Sequence, residues 1–436
     1  MSVLALLGGN RAVKQDLKLY QSVGEDERKA VNRVMDSGCL SSFLGVWGDD
    51  FDGGPEIHRL EEEWSQYFCV KNAISVNSAS SGLFAAVGAV GVGPGDEVIV
   101  PPYTMSATAM APLVYGGIPV FADIEDETFC IDIEHVRQLI TPKTKAIIAV
   151  NLFGHPARLH DLRKLADERG LKLIEDNAQG PGAKEFGKFA GTIGHIGVFS
   201  LNYHKHIHSG EGALCVTDDE ELALRLRLIR NHGENAVNAA KIGDLTNLVG
   251  YNYRMTELSA AIAGAQLKNI DKHVGPRVEQ ARALSRTTQG MDGVTPPVVR
   301  DGCEHVFYTW AFKLNSQKLG ISRKTFSQAL AAEGFAHGVG YVAPLYRLPV
   351  FQKRVAIGRD GFPFTLTDRR YEGQLCPVTE RMHEEELMYF GNCSYAVSEE
   401  QTKQLCEAIE KVYSQRSQLK EWENRHKEAI LPAGKR

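Results

Sequence analysis

The sequence predicts an α/β fold, a mostly parallel sheet flanked by helices and followed by a smaller C-terminal α+β domain. Three observations predict it. Short apolar runs such as Glu97-Val98-Ile99-Val100 and Ala146-Ile147-Ile148-Ala149-Val150 alternate with helix-like segments from Ala73 onwards. Strands covered on both faces lose the apolar–polar alternation of a half-exposed strand, so near-continuous apolar runs point to a parallel sheet. After Thr256 the alternation gives way to long helices around a strand-like run, Tyr308 to Leu314.

Taken in order, a polar helix-like stretch from Glu25 to Met35 leads into a glycine- and aspartate-rich loop around Trp47 to Gly54. Pro55 and Glu56 open a helix through Tyr67, because proline fits a first helical turn, where its missing N–H has no partner to lose. Ile74-Ser75-Val76 is a short strand, and Asn77-Ser78-Ala79-Ser80-Ser81-Gly82 turns into a helix beginning near Leu83. Further strands fit Glu97 to Val100, Pro119 to Ala122, Ala146 to Val150, Leu171 to Ile174 and Ile196 to Leu201, with a helix from Leu162 to Gly170. Later helices are expected from Leu258 to Ile270 and on to about Gln289, from Ser322 to Glu333 and from Ser398 to Tyr413, with a loop-rich stretch from Gly338 to Glu380. The expected organisation is an N-terminal segment of 1–54, a large domain of 55–269, a small domain of 270–413 and a polar tail of 414–436, read as a frayed helix end.

Composition narrows the function classes. The chain has 436 residues, 43% hydrophobic and 24% charged, with a net charge of −5 and no basic block. A nucleic-acid or membrane-surface partner is therefore not expected. Its 8 cysteines are scattered without a C-x-x-C pair, which argues against zinc or a disulfide framework and for reduced thiols in the cytoplasm. The apolar run Val3 to Leu7 is too short for a signal sequence, so a cytoplasmic protein is expected.

The chemistry centres on Ile174 to Asp218. The strand 171–174 delivers Glu175 and Asp176 at its carboxyl end, and a glycine-rich loop leads to a second strand, after which comes Lys205. A lysine in a partly desolvated pocket loses proton affinity and becomes a usable amine. An acid facing a pyridine-type nitrogen holds that nitrogen protonated. Lysine and acid together suggest pyridoxal 5'-phosphate chemistry. Ser80, Met105, Asp176 and Lys205 all follow predicted strands, and ligands of parallel sheets gather at those strand ends.

Several separated elements fall into one register: Glu175-Asp176-Asn177-Ala178-Gln179, then Phe199-Ser200-Leu201, Lys205 and Gly210-Glu211-Gly212. From Gly54 to Val412 the chain resembles the DegT/DnrJ/EryC1/StrS family of sugar aminotransferases, fold-type I pyridoxal phosphate enzymes. The resemblance implies Lys205 as the Schiff-base lysine, Asp176 as partner of the pyridine nitrogen and Gln179 against the ring oxygen. It also implies a phosphate cradle of Ser80, Ser81 and Ser200. Gly250-Tyr251-Asn252-Tyr253-Arg254-Met255 matches a motif whose asparagine reaches the phosphate of another subunit, so Asn252 implies a homodimer. One position departs from the family: Met105 stands where an aromatic usually stacks on the cofactor ring, and a thioether offers less flat contact.

Other residues carry alternatives. His204, His206 and His208 would share one face of an extended segment; a metal there would compete for the lysine amine, and a place for His204 or His206 beside the substrate is the better reading. His305, Tyr308, Tyr341 and Tyr346 fall where the small domain should close over the site, either bonding a sugar's hydroxyls or packing the core. The resemblance implies transfer of an amino group from glutamate or glutamine to a nucleotide-linked keto-sugar or a cyclitol-type ketone. A dehydratase on the same scaffold and a non-catalytic cofactor-binding regulator are the alternatives.

Overall fold

The computed structural model describes residues 3–426. Among them, seven strands form the central sheet: β1 (Asn72–Val76), β2 (Glu97–Val100), β3 (Ile118–Phe121), β4 (Thr144–Val150), β5 (Lys172–Asp176), β6 (Ile196–Ser200) and β7 (Ala213–Thr217). Their order is β1-β7-β6-β5-β4-β2-β3, with only β7 antiparallel to its neighbours. Six strands therefore point their carboxyl ends to one edge. Nearly every residue of these strands is buried, which is why they read as unbroken apolar runs.

Helix Ala79–Ala89 starts directly after β1, capped by Ser78, whose Oγ accepts the N–H of Ser81 at 3.1 Å. Gly82 lets this helix lie flat on the sheet: a Cβ there would come within 2.8 Å of Val198 Cγ1 and 3.1 Å of Cys215 Sγ. The close approach fixes the helix N-terminus over the carboxyl end of β1.

A second, antiparallel sheet consists of β8 (Val294–Thr295), β9 (Trp310–Leu314), β10 (Gly338–Val339) and β11 (Leu387–Phe390), in the order β8-β9-β11-β10. Helices Ile270–Thr288, Arg323–Ala332 and Glu399–Ser414 pack with it around Trp310, Phe312, Phe326 and Phe390. This is the smaller α+β unit.

Three boundaries differ. Residues 1–54 are not a segment apart. Leu4 and Val13 lie in the small-domain core and Lys18–Leu19 pair with Tyr395–Ala396, whereas helix Glu25–Ser37 packs Ala30 and Val34 on Ala261 of the large domain. Within 270–413, the loop-rich stretch returns to the large domain, where Tyr346, Phe351, Phe364 and Tyr371 surround Phe121 of the edge strand β3. Tyr371 donates to Pro119 O at 2.9 Å and Arg369 pairs with Glu97 at 2.6 Å, so this stretch seals the sheet edge. The tail is not frayed through its first ten residues: Arg416–Arg425 is a helix with Leu419 buried and Glu423 accepting from Ser322 N–H and Thr325 Oγ1. Residues 427–436 of the expected tail lie outside the described residues.

Candidate active site

The carboxyl edge of the sheet gathers the predicted residues. Ser80 follows β1, Met105 follows β2, Asp176 ends β5, and Ser200 ends β6 with Lys205 in the turn beyond it. Asp176 is 5% exposed; its Oδ2 accepts from Thr108 Oγ1 at 2.8 Å and its Oδ1 from Ala178 N–H at 3.2 Å. Burial pushes this carboxyl above the usual Asp range, against the two hydrogen bonds and the Lys205 charge. Lys205 is half-buried as a residue, with its ammonium end enclosed 4.7 Å from the ring centroid of Tyr308. Burial holds its pKa below the ordinary lysine value, opposed by Asp176 and Cys393. Each charge thus favours the other, yet neither forms a salt bridge among the described residues. A buried carboxylate without a cation in contact matches the protonated ring nitrogen of pyridoxal phosphate, and a desolvated amine beside it matches the carbonyl that this cofactor presents. The residues fit the group.

The loop after β5 is held by its own polar groups. Glu175 is buried with its carboxylate accepting from the N–H groups of Gly191, Ile193 and Gly194, at 2.5 Å, 2.7 Å and 2.5 Å. Asn177 bonds Gly180 O and Ala190 O through Nδ2, at 3.2 Å and 2.9 Å. These contacts aim Gln179, whose Oε1 accepts from Phe153 N–H at 2.8 Å and whose Nε2 donates to Tyr341 OH at 3.0 Å. Glu175 is a scaffold acid; Asp176, next to it, faces the site.

The serines come from two strand ends, Ser80 and Ser81 after β1 and Ser200 at the end of β6, next to β5. Ser80 and Ser81 lie in the first turn of helix Ala79–Ala89, where backbone N–H groups and the helix dipole favour an anion. The Ser81 N–H, expected as a phosphate donor, is taken here by the capping Ser78 hydroxyl, and Ser81 Oγ lies 3.0 Å from Ser78 Oγ. Ser200 is buried, its Oγ accepting from Asn202 N–H at 3.3 Å. Asn252 is exposed: Tyr251 and Tyr253 stack on each other at 4.7 Å on one side of the backbone, and Asn252 projects from the other. Its own carbonyl accepts from Asn77 Nδ2 at 3.4 Å. Met105 is 56% exposed, whereas Tyr103 is fully buried with its hydroxyl donating to Gly340 O at 2.9 Å.

The histidines do not share a face, because 201–209 is a turn and not an extended strand. His204 is largely exposed, but partial burial of its ring, with the Lys205 charge, lowers its pKa to about 4. His206 is buried, its Nδ1 3.1 Å from Arg277 Nη1, and His208 Nε2 meets Ser22 Oγ at 2.8 Å. Among the weighed aromatics, Tyr308 and Tyr341 reach the site. His305 stacks on Phe307 at 3.9 Å and Tyr346 donates to Glu380; both pack the core. Thr108 was missed by sequence reasoning; its only signal was a hydroxyl three residues after Met105. The loop at Trp47–Asp52 is tied down by the fully buried Arg230, which pairs with Asp52 and Glu61, each at 2.7 Å. Asn231 Nδ2 also holds this loop through Leu44 O and Phe51 O, while its Oδ1 accepts from Arg254.

A model of the DegT/DnrJ/EryC1/StrS aminotransferase family matches residues 22–393. The chain belongs to that family. It is a pyridoxal phosphate-dependent aminotransferase of fold type I. GDP-perosamine synthase of Vibrio cholerae is 39% identical over 270 residues, 62% of this chain and 70% of that protein. The structure of DesI in the presence of its TDP-sugar product is 26% identical, with a TM-score of 0.78 over 97% of this chain and 99% of that one. The structure of a Bacillus subtilis protein with the bound cofactor PMP is 25% identical, with a TM-score of 0.73 over 90% of this chain and 83% of that one.

Proposed function

We propose that this aminotransferase moves an amino group from glutamate or glutamine to a keto-sugar, with Lys205 as the lysine that carries the cofactor and Asp176 as the partner of its ring nitrogen. The observation that carries this reading is the buried Lys205–Asp176 pair at one strand edge, two charges in mutual range without a salt bridge. Bound there, pyridoxal phosphate supplies the electron sink that makes the α-proton of an amino donor removable. The Asp176 carboxylate keeps the ring nitrogen protonated, and Thr108 keeps Asp176 aimed and ionised. The free Lys205 amine takes the proton from the donor's α-carbon, and its lowered proton affinity leaves it able both to accept and to return that proton. In the reverse direction it delivers a proton to the carbon derived from the ketone.

Ser80, Ser81 and Ser200 would hold the phosphate, and Gln179, aimed by Phe153 and Tyr341, would meet the ring oxygen. Met105 would lie against one face of the ring. The exposed Asn252 completes the phosphate cradle of a second copy, which makes the working unit a homodimer in the cytoplasm. A nucleotide-linked keto-sugar is favoured as substrate by the GDP-perosamine synthase relative and by the structure determined in the presence of a TDP-sugar product. The test is donor consumption: purified protein given glutamate and a panel of nucleotide-linked keto-sugars releases one 2-oxoglutarate per amino-sugar formed. Loss of ketone with no donor consumed is the dehydratase result and overturns the reading.

A further inference from the structure

Lys205 meets a residue far along the chain, Tyr308. Its Nζ lies 4.7 Å from the centroid of the Tyr308 ring, and the same ring lies 6.3 Å from the ring of His204 and 6.2 Å from that of His206. One aromatic ring therefore lies near three successive residues of the lysine turn, with its face toward Lys205. The Tyr308 hydroxyl makes no hydrogen bond among the described residues.

The ring is held there by backbone. Val306 N–H donates to Gly154 O at 3.0 Å and Thr309 N–H to Phe153 O at 3.3 Å, so the strand entering β9 is zipped to the segment that also holds Gln179. Phe153 and Phe307 both sit at positive φ, 58° and 48°, a conformation bulky residues adopt only where surroundings impose it. Gly154, at φ 94°, admits the crossing: a Cβ there would lie 2.9 Å from Tyr308 N and 3.1 Å from Gln179 O. One crossing point fixes both Gln179 and Tyr308.

We propose that Tyr308 is a positioning residue for Lys205, acting through the face of its ring: the ring keeps the free amine at the site and favours the ammonium that the amine becomes when it takes a proton. The inference rests on Lys205 being the cofactor lysine. The electron-rich face attracts a cation, and the effect grows when water is excluded. The other groups facing the amine are Asp176 from β5, Cys393 from the small domain, and His204 and His206 on its own turn, the last bonded by Arg277 from helix Ile270–Thr288.

The experiment compares wild type, Tyr308→Phe and Tyr308→Leu, with Tyr308→Met in place of the leucine variant should that one fail to fold. In cofactor-free protein, the rate at which an amine-selective acylating reagent labels Lys205, read by peptide mass, is followed against pH. The leucine variant is expected to lose its proton at lower pH, with about tenfold more free amine at a given pH, and Tyr308→Phe to keep the wild-type profile. In loaded enzyme, single turnover with α-deuterated glutamate is expected to slow about tenfold in the leucine variant. Its KM values should be unchanged, and phenylalanine should restore the rate. A leucine variant that matches wild type in both measurements overturns the proposal. So does a phenylalanine variant as impaired as leucine with a raised KM for the ketone, which would assign the hydroxyl to the substrate. Borohydride trapping of the wild type separates the two levels: label on a residue other than Lys205 removes the underlying reading, whereas label on Lys205 with an unaffected leucine variant removes only the role of Tyr308.

Discussion

Thr108 donates its hydroxyl proton to a carboxylate that has lost nearly all contact with water. A hydrogen bond to a charged group contributes about 1.5–3 kcal/mol, and Ala178 N–H alone remains if it is removed. Thr108→Val, which conserves shape, is therefore predicted to weaken cofactor binding about tenfold or more, measured by titrating cofactor-free protein with pyridoxal phosphate. A second residue sets a limit on acid stability. His155 is buried with Nδ1 donating to Pro156 O at 2.7 Å and Nε2 accepting from Arg300 N–H at 3.1 Å, an arrangement that requires the neutral ring. Burial, assisted by Arg300 and Arg158, lowers its pKa to about 4. Because the folded-state pKa lies below the unfolded value, the unfolded chain binds the extra proton first. The stabilisation is complete above the unfolded value of about 6.5 and is lost as pH falls from there to about 4. This group contributes at most about 3 kcal/mol. The melting temperature should fall over that window, and His155→Gln, which can reproduce both hydrogen bonds, should flatten the fall; a wild-type profile level from pH 7 to pH 4 would refute the assignment.

The elements differ in how plainly the sequence announces them. The central strands were legible because burial on both faces leaves apolar runs with few competing readings, and Glu97–Val100 was placed to the residue. The motif that carries Asp176, Gln179, Ser200 and Lys205 was legible for a related reason: each residue lies at a strand end or in the turn that follows. Thr108 and Tyr308 were not assigned, since their contacts join residues 68 positions apart or cross between domains, and no local periodicity records them. The stretch that covers β3 was hidden likewise: its aromatic residues show no helical or strand period, and their partner Phe121 lies more than two hundred positions earlier. Helix Arg416–Arg425 was mistaken for a frayed end because it is mostly polar. Leu419 is its buried anchor, and Glu423 caps helix Arg323–Ala332 by accepting from Ser322 N–H at 3.0 Å and Thr325 Oγ1 at 2.8 Å. Leu419→Ala should destabilise the protein by about 2–5 kcal/mol, read by urea unfolding. A cost near zero would return the helix to the status of an ornament on the surface.

At the scale of the molecule, the helix Ile270–Thr288 joins the domains, and Gly154 admits the crossing of 306–309 with the loop that carries Gln179. The candidate site therefore draws on residues from both sheets of one chain, and in the proposed dimer on a second chain as well. If Asn252 serves the neighbouring site, inactive Lys205→Ala and impaired Asn252→Ala proteins, mixed under exchange conditions, should form hybrids with one fully assembled site. Activity above the sum of the separate proteins is the expected result, read in the donor-consumption assay; strict additivity would confine Asn252 to its own chain. The account as a whole turns on Lys205. The most direct measurement is borohydride reduction of the cofactor-loaded protein, followed by digestion and mass mapping of the pyridoxyl group, with Lys205→Ala alongside. The account predicts a single modified peptide carrying the label on Lys205, and none in the variant. A wild type that binds pyridoxal phosphate yet carries no label on Lys205 would contradict it.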